Sequence, residues 1–359
     1  MYTSFHVKNF RLFDDLRLDN LGRVNLIAGK NNVGKTALLE AIYLHCHPYS
    51  PEVSIQINTS RGMKTETRQP SGTVWDWIFS DFNTLKDIDL EGEDRKTGRR
   101  ILQLRIVRDQ EILAQLHLGI PKDRLTNGSS RSYNALQVLA FDYQQDINQE
   151  QGVQYMTIDA SKNSFIVPTA FSTPFPSAYI LSHGRPSAED NATRFTNLEI
   201  AGKQDLLLKA LKIIEPRIKR LLLLYIANEP MIGGEIELEK IPLTLMGDGI
   251  NRITNLVMSI ADSQDGVVLI DEIENGLHYS ILKDVWKAIA KAAQEFNTQI
   301  FATTHSRECI VAAHEAFSES NEYDFRLHRL DRTKIGDIRS VTYDQESLQA
   351  AIDADFEVR

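Results

Sequence analysis

Cysteine is almost missing from this chain: 359 residues contain two, Cys46 and Cys309, far apart in sequence. Two distant thiols make neither a disulfide framework nor a metal-ligand cluster, and a reducing cytoplasmic setting is the expectation. Long apolar runs are missing too. The longest, residues 221–227 (LLLLYIA), falls far short of the roughly 20 residues that cross a bilayer. The N-terminal stretch MYTSFHVKNFRLF has no signal-peptide core, so no membrane partner is expected. Nor is there an excess of positive charge. Forty basic against 49 acidic residues leave a net charge of −9, which excludes a protein coated in positive charge and leaves only local basic patches for nucleic acid. Internal repeats and low-complexity tracts are absent. A composition 42% hydrophobic and 25% charged is that of a globular protein with ample core, long enough for one large or two ordinary domains.

What is present is organised around residues 22–40, GRVNLIAGKNNVGKTALLE. The run VNLIA reads as a short buried strand, and ALLE after Thr36 as the start of a helix. Between them stand Gly29, Lys30, Asn31, Asn32, Val33, Gly34, Lys35 and Thr36, the strand–GxxxxGK[ST]–helix order of a phosphate-binding loop. Gly29 and Gly34 permit the tight turn that lets successive backbone N–H groups converge on phosphate oxygens. The helix adds its free N-terminal N–H groups and the positive end of its dipole. Lys35 is expected to reach the β- and γ-phosphates, and the Thr36 hydroxyl to ligate Mg²⁺.

Around this loop the periodicity predicts strands near 4–8 and 16–20, with Phe10 and Phe13 as core or base-stacking residues, and a helix over 36–46. Residues 48–73, rich in Ser, Thr, Pro, Gly and Gln, read as a long loop. VWDWIFSDF (74–82) reads as a satellite hydrophobic cluster, and EGEDRKTGRR (91–100) as a solvated hairpin tip. ILQLRIV (101–107) and EILAQLH (111–117) alternate well enough for a hairpin, and a polar stretch follows at 121–134. Further strands are expected at 136–141, 153–158, 164–167 and 178–182. Residues 203–224 look helical, kinked or split at Pro216, and 234–245 look like a strand or strand pair.

A second constellation follows. VVLIDEIE (267–274) is a buried strand that delivers Asp271 and Glu272 at its carboxyl end, where open α/β sheets bind ligands. In a P-loop ATPase such an Asp holds Mg²⁺ and the next Glu polarises the attacking water. After a helix at 280–296, QIFAT (299–303) gives another buried strand. It ends at Thr304 and His305, one sheet position from the carboxylates, where a γ-phosphate sensor belongs. Upstream, Gly247, Asp248 and Gly249 form a turn that opens an apolar helix, another anion-binding device.

In this order, from phosphate loop through long insertion, glycine–helix turn and apolar-DE strand to Thr-His, the chain resembles the ABC-type ATPase heads of the RecF/SMC/OLD group. It is most similar to small stand-alone members near the OLD (overcoming lysogenization defect) family. The resemblance covers residues 1–47 and 235–310. It implies an α/β fold, an ABC-type P-loop ATPase head with a mixed sheet and a helical lobe built from 1–47 and 200–359. Residues 48–199 would be a β-rich insertion between Walker A and the signature motif. It further implies that residues 29–36 are the Walker A loop, and Gly247, Asp248 and Gly249 the signature. Asp271 would be the Walker B acid, Glu272 the catalytic Glu, 274–278 the D-loop and His305 the switch histidine. Two positions depart from the pattern. Gly247 replaces the signature serine, so its phosphate contact would come from backbone N–H. No glutamine falls clearly in the Q-loop, for which Gln144, Gln145 or the Arg185-Pro186 segment are candidates.

The resemblance also implies a homodimer with two ATP molecules sandwiched between subunits, and slow hydrolysis that needs dimerisation. OLD nucleases continue into a Toprim domain. The 54 residues after His305 carry scattered acids and no apolar strand ending in a clustered DxD, so a nuclease or other effector would be a separate protein, in a phage-defence setting. The alternative is a RecF-like DNA-repair or DNA-structure sensor, with the basic clusters at 95–100 and 217–220 as its footprint.

Overall fold

The computed structural model describes residues 1–63, 73–118, 136–147, 149–159, 164–166, 175–182, 186–320 and 322–358. In chain order the elements begin β1 (Tyr2–Phe10), β2 (Phe13–Leu18), β3 (Val24–Gly29), α1 (Lys35–Cys46) and α2 (Val53–Thr59). Next come β4 (Ile88–Asp94), β5 (Gly98–Ile106), α3 (Gln110–Leu118), β6 (Leu136–Gln145), β7 (Glu150–Asp159), β8 (Ser164–Ile166) and β9 (Ser177–Ile180). Then follow α4 (Ala188–Ile200), α5 (Gln204–Leu211), β10 (Ile218–Ile226), β11 (Glu229–Ile236) and β12 (Glu239–Pro242). The last stretch holds α6 (Asp248–Asp262), β13 (Val267–Ile270), α7 (Leu282–Glu295), β14 (Gln299–Thr303), α8 (Arg307–Ser318), β15 (Phe325–Arg332), β16 (Ile338–Tyr343) and α9 (Gln345–Asp353).

Three sheets result. An antiparallel sheet runs β2-β1-β4-β5-β6-β7-β8, a small one runs β10-β11-β12, and a mixed sheet runs β16-β15-β3-β14-β13-β9. In the mixed sheet β15, β3, β14, β13 and β9 are parallel and only the edge strand β16 is reversed. All four residues of β13 are buried, because both faces are covered. Val267 and Leu269 join the core around α1, whereas Val268 and Ile270 join the core that holds α6, α7 and α8.

Helix α1 lies between the antiparallel and mixed sheets, and nine of its twelve residues are buried, so it is apolar on nearly every face. Its one buried carboxylate, Glu40, is matched. Arg11 approaches it at 2.6 Å and Arg61 donates to both of its oxygens at 2.6 and 3.0 Å.

Several expectations change once tertiary packing is in view. EILAQLH forms α3 rather than a strand. Asp109 Oδ1 accepts from the amides of Glu111 and Ile112, which starts a helix where the short alternating pattern was ambiguous. The helical pattern of 203–224 holds only through α5, and after Pro216 the leucine run becomes β10. β10 is drawn into a hairpin with β11 through Ala227 and Asn228, both at positive φ. The loop expected at 48–73 contains α2, while residues 64–72 lie outside the described residues, as does the polar stretch at 121–134. Phe10 and Phe13 are fully buried, so they are core and not base-stacking residues, and Trp75 is buried with its indole N–H donated to Ser54. The division at 47/48 and 199/200 does not separate the sheets: β1 and β2 complete the antiparallel sheet, and β9 is an edge strand of the mixed one.

Two histidines are buried without charge. Burial, aided by the Arg100 cation, pushes His45 down to about 3, and burial with Arg326 does the same to His328. The folded state therefore refuses protons that the unfolded chain accepts below about pH 6.5. Their contribution to stability is complete above that pH and is lost progressively toward pH 3. Urea unfolding is expected to show a loss of about 2–3 kcal/mol between pH 7 and pH 5.5 from the pair. His328→Gln should remove about half of this pH dependence, and an unchanged slope refutes the assignment.

Candidate active site

Strands β3, β14, β13 and β9 end on one edge of the mixed sheet, with β14 between β3 and β13. The loop leaving β3 turns at Gly29 (φ 142°), where a Cβ would lie 2.6 Å from the Leu330 carbonyl oxygen. It turns again at Gly34 (φ 95°), where a Cβ would strike the Phe13 ring. Asn32 is also left-handed, at φ 62°. Arg332 braces the loop from β15 by donating to the Asn32 carbonyl at 3.2 Å. Gly34 caps α1 with no side chain, so the first N–H groups of the helix remain available to an anion. Lys35 Nζ curls back onto the carbonyls of Gly29 (2.7 Å) and Lys30 (3.1 Å), at the mouth of the same loop. Burial lowers its pKa, while Asp271, Glu272 and Glu274 pull it back up.

Asp271 binds the elements together. Its carboxylate accepts from Thr36 Oγ1 (3.1 and 3.2 Å) and from Thr303 Oγ1 (2.7 Å), joining the phosphate-loop helix to the end of β14. Glu272 follows at φ 46°, a left-handed conformation that a glutamate adopts only when its surroundings impose it. Those surroundings are visible. Its amide donates to Thr303 Oγ1 at 2.8 Å, its carbonyl accepts from Arg252 at 3.0 Å, and its carboxylate accepts from Asn275 Nδ2 at 2.6 Å. Arg252 also donates to the carbonyls of Asp271 (2.9 Å) and Leu181 (3.3 Å), so one guanidinium ties α6 to the ends of β13 and β9. His305 stands beyond β14 with its ring about half exposed, 3.2 Å from Glu274.

The glycine turn before α6 is built on Gly247 (φ 104°), which caps the helix with no side chain and has open space where a Cβ would stand. A Cβ on Gly249 would lie 3.3 Å from the Gly276 carbonyl oxygen, so the turn packs closely against the segment after Glu272. Within one chain, Gly29, Gly34, Lys35, Thr36, Asp271, Glu272 and His305 share one edge. Asp248 and Gly249 lie beside residues 275 and 276.

A family model described as the AAA ATPase domain matches residues 1–225 and 185–310. The chain belongs to this family. It is similar to an ATP/GTP phosphatase of Helicobacter pylori, 23% identical over 343 residues that cover 89% of this chain and 90% of the relative. Over a shorter stretch it is similar to the DNA replication and repair protein RecF of Clostridioides difficile. That match is 34% identical over 126 residues, covering 33% of this chain and 31% of RecF. Among solved structures, an SMC head bound to the C-winged helix domain of ScpA aligns at 12% identity with a TM-score of 0.48, covering 97% of this chain and 99% of that one. The SMC head domain from Thermotoga maritima aligns at 10% identity with a TM-score of 0.42, covering 96% and 99%. The protein is an ATPase of this family.

In this ATPase one of the Q-loop candidates, the Arg185-Pro186 segment, follows β9. β9 is the parallel neighbour of β13, so the residues after it reach the same edge. Ser182 and Pro186 line one cavity with Asp248 and Arg252 there, while Arg185 lies outside the described residues. Gln144 and Gln145 are corrected: both belong to β6 in the antiparallel sheet, and Gln145 is buried as the acceptor of the Tyr143 hydroxyl.

The basic clusters are also largely spoken for. Arg99 is pinned by Glu91 (2.6 Å), Arg217 by Glu215 (2.7 Å) and Arg220 by Glu235 (2.7 Å). Arg100 is buried with its guanidinium over the Phe175 ring at 3.3 Å. Thr303 and Arg252, given no role from sequence, and Asn275, expected only as part of the 274–278 D-loop, hold the carboxylate segment. For Thr303 and Asn275 the advance signal was a polar side chain at the end of, or just beyond, an apolar run; for Arg252 there was none.

No helix among the described residues is long and apolar enough to cross a membrane. Replacing Thr303 with Val removes the donor to Asp271 and the acceptor for the Glu272 amide. A loss of about 1–3 kcal/mol in stability is expected, with ATP hydrolysis reduced at least about tenfold. Thermal melts and phosphate release check both, and a variant with wild-type turnover refutes the role.

Proposed function

We propose that this ATPase works as a nucleotide-driven switch: a symmetric homodimer in which the Gly247 turn of each subunit completes the phosphate site of the other, with slow hydrolysis resetting the pair. The observation that carries this reading is the turn itself. No side chain caps the N-terminus of α6 there, and Gly247 has open space where a Cβ would stand. A partner's terminal phosphate is the anion that such a turn suits, and the contact would vanish after hydrolysis.

In this reading the N–H groups of Gly29, Asn31, Asn32 and Gly34 cradle the phosphates and Lys35 supplies a mobile positive charge. The hydroxyl of Thr36 and the carboxylate of Asp271 are already neighbours, and two hard oxygen donors fit Mg²⁺, which when bound would neutralise charge on the β- and γ-oxygens. Glu272, held by Asn275, would polarise the attacking water. The exposed edge of His305 would contact the γ-phosphate. Asp248 and Gly249 extend the signature turn toward the partner.

Glu272→Gln is expected to lower turnover by about 10²–10⁴-fold and to trap an ATP-bound dimer visible by light scattering. A monomer under these conditions, or unchanged turnover, overturns the reading.

The switch needs something to act on. The match to RecF favours duplex DNA gripped by the dimer. Because Arg99, Arg217 and Arg220 are engaged in ion pairs, as is Lys96 with Asp265, the footprint would rest on other cations of these clusters, such as Arg95. A gel shift with ATP and the Glu272→Gln protein is expected to show DNA binding that weakens steeply with salt. Absence of a shift at low salt favours instead the separate effector or nuclease subunit of a phage-defence system.

A further inference from the structure

The histidine that follows β14 has a carboxylate partner, and it is not Glu272. Glu274 Oε1 accepts from Thr304 Oγ1 at 2.8 Å and from the His305 backbone N–H at 3.0 Å, and it lies 3.2 Å from His305 Nδ1. The Glu274 side chain is 11% exposed, whereas the ring it faces is 55% exposed. Nδ1 is thus the ring nitrogen turned toward Glu274, which leaves Nε2 on the far side of the ring. Glu272 has no part in this pairing, because its own carboxylate is taken by Asn275. Around the pair the two strand ends are laced by backbone bonds as well: the Ile273 amide donates to the Thr303 carbonyl, and the Ser306 amide to Thr304 Oγ1. Lys35 and Arg252 are cations close enough to feel Glu274. Its second oxygen, Oε2, is buried with no hydrogen-bond partner among the described residues.

We propose that Glu274 is the positioning residue of His305. It sets the tautomer and orientation of the ring so that Nε2 faces the terminal phosphate, and it couples that ring to the segment running from the Glu272 backbone to residues 275 and 276, which meets the signature turn. A shift of this segment when two subunits close would then carry the imidazole with it. The inference rests on the reading of His305 as the γ-phosphate contact.

The test uses the full chain with Glu274→Ala, Glu274→Gln, His305→Ala and the double variant Glu274→Ala/His305→Ala. Measured are kcat and KM for ATP, thermal melts, and the ¹⁵N shifts of the His305 ring. Glu274→Ala is expected to lower kcat by about 10–100-fold with KM changed less than about threefold. Glu274→Gln should recover most of the loss, since its amide oxygen accepts the same hydrogens. The double variant should be no slower than His305→Ala, and the Nδ1–H signature present in the wild type should fade in Glu274→Ala. If Glu274→Ala turns over like the wild type while His305→Ala is slow, or if the two losses multiply, Glu274 positions nothing. Wild-type turnover by His305→Ala sinks the reading of the histidine itself, a separate outcome.

Discussion

One carboxylate accepts hydrogens from two threonines, and the arrangement of the site depends on that sharing. Asp271 sits at the end of β13, Thr36 in the first turn of α1 and Thr303 at the end of β14, and these three arrive from distant stretches of the chain. Parallel neighbours place all three on one edge, but parallel pairing alone leaves side chains free to rotate. Hydrogen bonds of 2.7 to 3.2 Å remove that freedom and hold the acid against the phosphate-loop helix. A charged acceptor strengthens each bond relative to a neutral one.

The same economy runs outward from α1. A helix buried between two sheets has no solvent face on which to place a charge, yet Glu40 is there. The cost is met by Arg11, from the turn between β1 and β2, and by Arg61, from the segment after α2. A buried ion pair of this kind adds little net stability compared with an apolar replacement, whereas breaking it would leave a buried charge uncompensated. Glu40 thereby joins the β1–β2 turn, the segment after α2 and the phosphate-loop helix at one point.

Strain is concentrated where chemistry is expected. Glu272 is held left-handed by Thr303 on one side and Arg252 on the other, and its side chain is turned by Asn275. The segment from 272 to 276 is thereby fastened to β14 and to α6, and it packs against the turn at Gly249. Under the proposed switch, such a segment would link the phosphate edge to the Gly247 turn.

Much of this was legible in one dimension. The phosphate loop, the apolar-DE strand and the Thr-His terminus are local patterns whose meaning depends on neighbours within a few residues, and the backbone obeys them. Where two local patterns competed, packing decided. EILAQLH satisfies both a strand and a helix period, and a single Asp109 cap selected the helix. The leucines after Pro216 favour a helix by propensity and became a strand because β11 was available to pair with them. The charges of 91–100 looked solvated until Arg100 was buried against Phe175 and Tyr2. Thr303 and Arg252 could not be singled out in advance, and Glu274 only as part of the 274–278 segment, since each acquires its role from a partner 19 to 32 positions away. The order of residues thus determined which chemistry the chain carries. Which side chains aim that chemistry was settled only when sheet order brought strand ends together, because a hydrogen bond depends on distance in space and is blind to distance along the chain.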